Sequence, residues 1–498
     1  MELQFQKSFC KYLTCPVREV QNAELTQEIR LSDGMPDIGR VLTSWGQVIV
    51  RSKEWRGDVA IVSGGLLVWV LYAPEDGGDP RSVDGWIPFQ LTWNLPPMER
   101  DGVMRVWPLL RFVDGRNISA RKIMVRAGVG AMGEALCPAE ADVYTPQELP
   151  EDIEVLNRTY PVRIPKETGE KSFYVDEDLP APTAAAPQKI LSYTAAAHVQ
   201  EKKVVSGRAV MRGTTDVHVV YRDQEGKIRV YDTPVPFSQY VDLESEYGPD
   251  AQADVQMCIT NMELDLNDQG QMRLKCGLLA QYLIDDRELI NVAEDAYSPR
   301  REVSVMVQPL HLPAMLEKRQ ETLHARQKMT GQQADVLDAV CLPDFPRCVK
   351  SQQGVNVQLS GVFQMLCAGD EGLLRSGTCR WENQVELPCA ADVNVSARIA
   401  PDVAVHAMAE GEDMVLSSRL ELQIHSASET PVPMVSAIET GELREDCGAS
   451  PAVILCRPEG ETLWNIAKRC GSTVSAIRNS NGLQEEPVDN RMLLIPVY

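Results

Sequence analysis

Two stretches of this chain match position by position although they lie 149 residues apart. Gly64-Gly-Leu-Leu-Val-Trp-Val-Leu-Tyr72 and Gly213-Thr-Thr-Asp-Val-His-Val-Val-Tyr221 both alternate apolar residues with period two and both end on a tyrosine. The same register pairs Arg40-Val41-Leu42 with Lys189-Ile190-Leu191, Val50 with Val199 and Gly77 with Gly226. An ungapped match of this length means a duplicated folding unit. A diverged third copy follows at an offset of 146, with Val336-Leu337 on Ile190-Leu191, Cys367 on Tyr221 and Gly372 on Gly226.

Each copy reads as a β unit. Period-two alternation buries one face of a strand, and the glycine five residues beyond each Tyr or Cys allows the positive φ of a hairpin turn. Trp86-Ile-Pro-Phe89, Val235-Pro-Phe237 and Gln384-Val-Glu-Leu387 follow the turns. Further alternating runs come next, and prolines in them suit edges or strand starts. The expected fold class is mainly β, with three tandem β-sandwich or barrel-like repeats over residues 1–145, 168–310 and 334–445. Acids and prolines in 146–167 predict an extended linker. Helix formers in Pro313-Ala-Met-Leu-Glu-Lys-Arg-Gln-Glu-Thr-Leu-His-Ala-Arg-Gln-Lys-Met329 predict a helical linker over 311–333.

The 498 residues carry 49 Lys+Arg against 71 Asp+Glu, a net charge of −22 that repels phosphate backbones and anionic lipid. Nucleic acid is therefore not an expected partner. Met1 to Gln21 has no apolar segment of the kind a secretory signal needs. Leu66 to Ala73, the longest apolar run, is too short to span a bilayer, so membrane insertion is not expected either. Thirteen cysteines without CxxC spacing fit reduced thiols in a cytosol better than a disulfide framework.

The last 48 residues, 451–498, change pattern. Val453 to Cys456 reads as a strand. Thr462 caps a helix carrying Leu463, Trp464, Ile466, Ala467 and Cys470, and Thr473 starts a second helix that Gly482 ends. Met492 to Pro496 closes the unit as a strand, giving the order βααβ. This segment resembles a LysM domain through Arg457-Pro-Glu-Gly-Glu-Thr-Leu-Trp-Asn-Ile-Ala-Lys-Arg-Cys-Gly-Ser-Thr-Val-Ser-Ala-Ile477, Asn479-Ser-Asn481 and Leu493-Leu-Ile-Pro496. It departs from that family at Glu461, where Asp is usual, and at Asp489-Asn490, where a Gly usually precedes the last strand. Both departures lie in loops that sugar-binding LysM members use.

Hairpin-Gly-Pro-Phe repeats followed by one C-terminal LysM resemble the SPOCS-domain family, SipL-like spore coat morphogenesis proteins of spore-forming clostridia. That resemblance implies a non-enzymatic scaffold in the mother-cell cytoplasm at the forespore surface, binding the coat ATPase SpoIVA through its LysM module, with other coat proteins or a second copy of the chain as further partners. The residues it singles out for partner binding are Gly460, Glu461, Thr462, Trp464, Asn481, Gly482 and Leu483. Trp464 has two readings, a filler of the small LysM core or a half-exposed aromatic anchor. The rival reading is a wall protein binding N-acetylglucosamine polymers.

No pattern implies a catalytic site, a metal or a cofactor. Gly128-Val-Gly-Ala-Met-Gly133 has GxGxxG spacing, but Pro138 leaves no room for the helix that would cradle a phosphate. Asp265-Leu-Asn-Asp-Gln-Gly270 lacks the twelfth-position Glu of a calcium loop, with Cys276 there instead, and reads as a hairpin turn. The six histidines have no paired ligand spacing, and His218 reads as a residue on the polar face of a strand. Arg100, Arg105, Arg111, Arg116, Arg121, Lys122 and Arg126 read as a solvated strand face, with an acidic docking partner as the alternative.

Overall fold

A computed structural model describes residues 3–498 except 99, 331–334, 370–372, 391–392, 429–430, 444–451, 458 and 486–489. The fold is mainly β, with three tandem repeats, six-stranded in the first two and seven-stranded in the third, where β15 and β16 both pair with β17. The first has β1 (Phe5–Arg30), β2 (Ile38–Arg56), β3 (Val59–Pro74), β4 (Arg81–Asn94), β5 (Val103–Ser119) and β6 (Lys122–Pro146). The second has β7 (Glu154–Asp178), β8 (Pro187–Val205), β9 (Arg208–Asp223), β10 (Ile228–Asp242), β11 (Gln252–Leu266) and β12 (Met272–Tyr297). β13 (Val303–Leu310) precedes the third, which has β14 (Ala314–Met329), β15 (Asp335–Pro343), β16 (Arg347–Ser351), β17 (Gly354–Ala368), β18 (Leu374–Leu387), β19 (Asn394–Glu410) and β20 (Asp413–Ser428). β21 (Val432–Thr440) pairs with β13. The final module is β22 (Ala452–Cys456), α1 (Leu463–Cys470), α2 (Val474–Asn481) and β23 (Met492–Pro496).

Every repeat packs two antiparallel sheets. The orders are β1-β6-β5 over β2-β3-β4, β7-β12-β11 over β8-β9-β10, and β14-β20-β19 over β15-β17-β18 with β16 beside β17. Two of the expected linkers are therefore strands. Residues 154–178 form β7, and 314–329 form β14 instead of a helix. Helix propensity in 314–329 yields to edge-strand pairing with β20, which buries Ala325 and pairs one side of the segment's backbone.

The tyrosine register holds in three dimensions. Tyr72 lies between Val41 and Arg81, Tyr221 between Ile190 and Arg229, and Cys367 between Val336 and Arg375. Both tyrosines are buried, and each hydroxyl donates to a carbonyl 36 residues earlier, at Pro36 and Ala185, over 3.0 Å. Gly77 and Gly226 take φ of 77° and 80° in their turns. Gly372 lies outside the described residues. Gly64 and Gly213 are equivalent for a different reason: an added Cβ would strike the carbonyls of Ile49 and His198, fifteen residues back in each case. Each repeat has its own core, around Val70 and Trp93, around Val219 and Phe237, and around Phe363 and Trp381.

The repeats close on one another as a ring. A β-bulge recurs at one place in β2, β8 and β15, shifting register between Val41 and Thr43, Ile190 and Ser192, and Val336 and Asp338. Bulges re-aim the residues around them. Trp69, His218 and Gln364 occupy one shared position on the central strands, and each reaches the bulge of the next repeat. Trp69 packs on Tyr193 at 4.6 Å, His218 bonds Asp338 at 2.9 Å, and Gln364 donates to Thr43 Oγ1 at 3.1 Å and the Ser44 carbonyl at 2.8 Å. The contacts run first to second, second to third and third to first. They are heterologous contacts whose rotation closes, so among the described residues each repeat both gives and receives one such contact. Leu71, Val220 and Leu366, again equivalent, meet in an apolar cluster there.

His218 thus lies buried in an interface, not on a polar strand face. Trp45 Nε1 also donates to Asp338, at 2.7 Å, so one carboxylate of the third repeat serves both other repeats. Burial opposes a charge on His218, yet Asp338 and Asp232, the latter at 2.6 Å, push its pKa up to about 10. It stays protonated and donates from both nitrogens.

Below this layer lies a second three-way contact, and it corrects the solvated reading of Arg105. That side chain is 0% exposed and bonds Glu134 of its own repeat and Asp254 of the second, at 3.4 and 2.8 Å. Arg398 of the third repeat reaches the same two acids, and Arg18 bonds Glu134 at 2.8 Å. Buried charges persist when paired; each of these is paired, with the Nε groups of Arg105 and Arg398 left without a hydrogen bond. The neighbouring basic residues are satisfied at the surface: Arg111 by Asp344, Arg116 by Asp114, Arg121 by Asp37 and Arg126 by Glu24. The glycines of the GxGxxG run lie inside β6, where Gly128 makes room for Phe112 and Gly133 for Met104 and Trp93. The Asp265–Gly270 segment is the β11–β12 turn, with the Asn267 side chain accepting from the amides of Gln269 and Gln271.

Candidate functional site

The residues singled out for partner binding lie at the ends of the two helices of the C-terminal module. Thr462 caps α1 by accepting from the Asn465 amide at 3.3 Å, and Thr473 caps α2 by accepting from Ala476 at 3.0 Å. Gly471 and Gly482 end the helices in the left-handed region, φ 66° and 60°, where a side chain would be strained. Leu463, Ile466, Ala467, Ile477, Leu493 and Ile495 form the core of the module.

The seven residues divide by role. Gly460, Thr462 and Gly482 are exposed. Glu461 is half-buried and accepts a two-pronged contact from Arg469 Nη2 at 2.9 and 3.0 Å, while its carbonyl accepts from Arg457 Nε. Asn481 is structural: its amide donates to the carbonyls of Ile477 and Leu494 and accepts from the Leu494 amide, stitching α2 to β23. Leu483 packs against the core, and its amide donates to Arg478. Asp489 lies outside the described residues; Asn490 follows it with φ 61°.

Trp464 fits neither of its two readings alone. It is half-buried, and its ring meets Tyr297 at the end of β12 edge-on, with centroids 4.8 Å apart. Its Nε1 donates to Asp295 Oδ2 at 2.9 Å, and Lys468 Nζ reaches both oxygens of the same carboxylate at 2.8 Å. Tyr297 is 5% exposed, belongs to the module's apolar core and donates its hydroxyl to the Ser472 carbonyl at 3.0 Å. The second repeat thus completes the hydrophobic core of the module. Asp295 and Tyr297 carry no local signal, because they lie about 170 residues from their contacts and outside any motif.

Among the described residues no group of three or more His, Cys, Asp or Glu side chains could hold a metal ion. No helix among them is long and apolar enough to cross a membrane. The cysteines whose pKa shifts stand out are pushed up by burial, Cys258 and Cys341 to about 12, which keeps them as thiols at neutral pH.

Three β repeats closed into a ring, with a small βααβ unit docked on the second, define a β-repeat protein carrying one small α/β module. Residues 187–267, spanning β8 to β11, match the family described as SipL, SPOCS domain, and residues 459–486 match the LysM domain family. The second repeat is thus similar to a SPOCS domain of the SipL type and the βααβ unit to a LysM domain, two matches that support a sporulation-related protein. The shared register makes β2–β5 and β15–β19 structural equivalents of the matched SPOCS segment. No curated protein and no solved structure matches the chain.

Proposed function

We propose that this chain is a non-enzymatic spore coat assembly scaffold of the mother-cell cytoplasm, acting at the forespore surface and recruiting the ATPase SpoIVA through its LysM module. The observation that carries this reading is the presence of a SipL-type SPOCS domain and a LysM domain in one chain. The closed ring supplies a platform, and the exposed Gly460, Thr462 and Gly482 supply a surface that an anchored module can present. Binding to SpoIVA is tested by pull-down with the full-length chain, its Glu461→Lys variant and a Gly482→Asp variant, each with a thermal melt. Wild-type capture that either folded variant weakens supports the reading. Undiminished capture by both places the contact elsewhere on the chain, and no capture by the wild type refutes the proposal.

The second reading, binding of N-acetylglucosamine polymers, is favoured by the LysM match itself. Strong retention of the full-length chain on purified peptidoglycan, without SpoIVA capture, would establish it. Glu461 is held by Arg469 and so has fewer free acceptor positions to offer a sugar hydroxyl.

A further inference from the structure

Between the second and third repeats lies a cleft of about 330 Å³. It opens where β8, β11 and β14 converge, each the outer strand of its own sheet, so that no backbone pairing closes the gap. On the third repeat Lys318 pairs with His425 and Gln320 with Gln423 across β14 and β20. Period two sets all four side chains on one face, away from the core residues Leu422 and Ile424, and all four residues line the cleft. Lys202 of β8 and Asp254 of β11 line it from the second repeat.

Two polar groups on these walls lack a partner. His425 is 6% exposed, and its ring makes no hydrogen bond with any described residue. An imidazole carries at least one N–H in either protonation state, so His425 offers a donor whether or not it is charged. The Lys202 side chain is 30% exposed and makes no hydrogen bond either; Asp254 Oδ1, at 4.0 Å, is its nearest acid. Asp254 is already taken by Arg105 and Arg398 through its other oxygen, at 2.8 and 3.0 Å. Unsatisfied buried polar groups are rare in folded proteins and call for an explanation.

Charge around the cleft is unbalanced toward the positive, in a chain whose net charge is −22. Behind it, Arg18, Arg105 and Arg398 share Glu134 and Asp254, and Lys202 adds a fourth cation to the same two acids. Beside it, Lys318 and Arg163 share Asp285, so six cations face three acids. The exposed acids next to lining positions, Glu201, Asp250 and Glu317, do not line the cleft. Burial pushes the Lys202 pKa down, Asp254 opposes this, and Lys318, Arg105 and Arg398 add to it. Like charges crowd this ammonium.

We propose that the cleft between the second and third repeats binds a polyvalent oxyanion of the phosphate class, with Lys202 and His425 donating to its oxygens and Lys318 supplying a second positive charge. The surplus of cations selects a polyvalent anion over a monovalent one, and ammonium groups serve phosphate as point charges. The volume has room for two linked phosphoryl groups. An anion bound there touches both repeats and so strengthens closure of the ring at this junction.

The test is calorimetric titration of the full-length chain with pyrophosphate, phosphate and acetate at one fixed ionic strength, with a thermal melt of each mixture. Pyrophosphate should bind saturably at one site, more tightly than phosphate, and raise the melting temperature; acetate should do neither. Lys202→Met should weaken pyrophosphate by about tenfold or more without lowering the melt of the free chain, because no hydrogen bond is lost. His425→Leu should do the same, whereas a histidine kept for the fold alone would lower the melt and leave affinity intact. Lys202→Gln and His425→Met take their places if either variant fails to fold. Lys227→Met removes the same charge from the exposed β9–β10 turn and should leave affinity unchanged. No pyrophosphate binding by the wild type, equal binding of acetate, wild-type affinity in either folded cleft variant, or an equal loss in Lys227→Met would each overturn the proposal.

Discussion

Glu134→Gln tests whether the buried ionic contact holds the ring together. Glu134 is 1% exposed and takes Arg18, Arg105 and Arg398, so a single carboxylate joins strands of the first and third repeats. Burial alone would push its pKa up; Arg398, Arg18 and Arg105 overcome that and hold it at about 2, against an ordinary 4.5. At about 1.36 kcal/mol per pH unit, the difference corresponds to roughly 3 kcal/mol of stabilisation when the group is ionised. An independent route agrees, since removing one partner of a buried ion pair costs about 3–5 kcal/mol. The folded-state pKa is depressed, so this contribution is fully present above about pH 4.5 and is lost as pH falls through about 2. Urea unfolding of wild type and Glu134→Gln should therefore differ by about 3–4 kcal/mol at pH 7, with the gap narrowing steadily from about pH 4.5 to about pH 2. A loss below about 1 kcal/mol at pH 7, the size of an exposed pair, would refute the reasoning. So would a gap that does not change with pH.

His218 has the opposite sign: its pKa is raised to about 10, so its stabilisation is present below about pH 6.5 and is lost as pH rises through about 10. Melts between those limits should show this loss in the wild type and a flatter profile in Asp338→Asn. Asp295→Ala removes a hydrogen bond to a charged acceptor, worth about 1.5–3 kcal/mol, and a half-exposed contact with Lys468 worth up to about 1 kcal/mol. Hydrogen exchange should then quicken in α1 and at the end of β12 while the three repeats stay protected. Tyr72→Phe and Tyr221→Phe should each destabilise by about 1 kcal/mol on thermal unfolding, and by similar amounts, because the two hydroxyls make equivalent bonds. Gly213→Ala should be far worse than a surface Gly207→Ala on the same assay, since its Cβ meets the His198 carbonyl while Gly207 faces open space and adds only the strain of its φ of 71°.

The sequence by itself determined the repeat, its β character and the terminal βααβ unit. These depend on local regularities: alternation about Tyr72 and Tyr221, turn glycines at 77 and 226, and the caps Thr462 and Thr473. Period and capping are properties of a few neighbouring residues, so they can be read along the chain. Local propensity failed where pairing with a distant strand outweighed it, at 314–329, whose helix-forming side chains lie in β14 because β20 supplies the partner. Only the tertiary structure decided the closure of the ring. The recurring bulge leaves no mark in the residues flanking Leu42 and Leu191, yet it sets what Gln364 and His218 reach. Arg105 looked like one of seven surface cations, and its burial depends on Asp254 and Arg398 arriving from two other repeats. Trp464 carried the motif in full, but its surroundings come from Asp295 and Tyr297, which no spacing within the module could place. Hydrophobic periodicity records which face of a strand is buried; which partner buries it is settled only when the whole chain has packed.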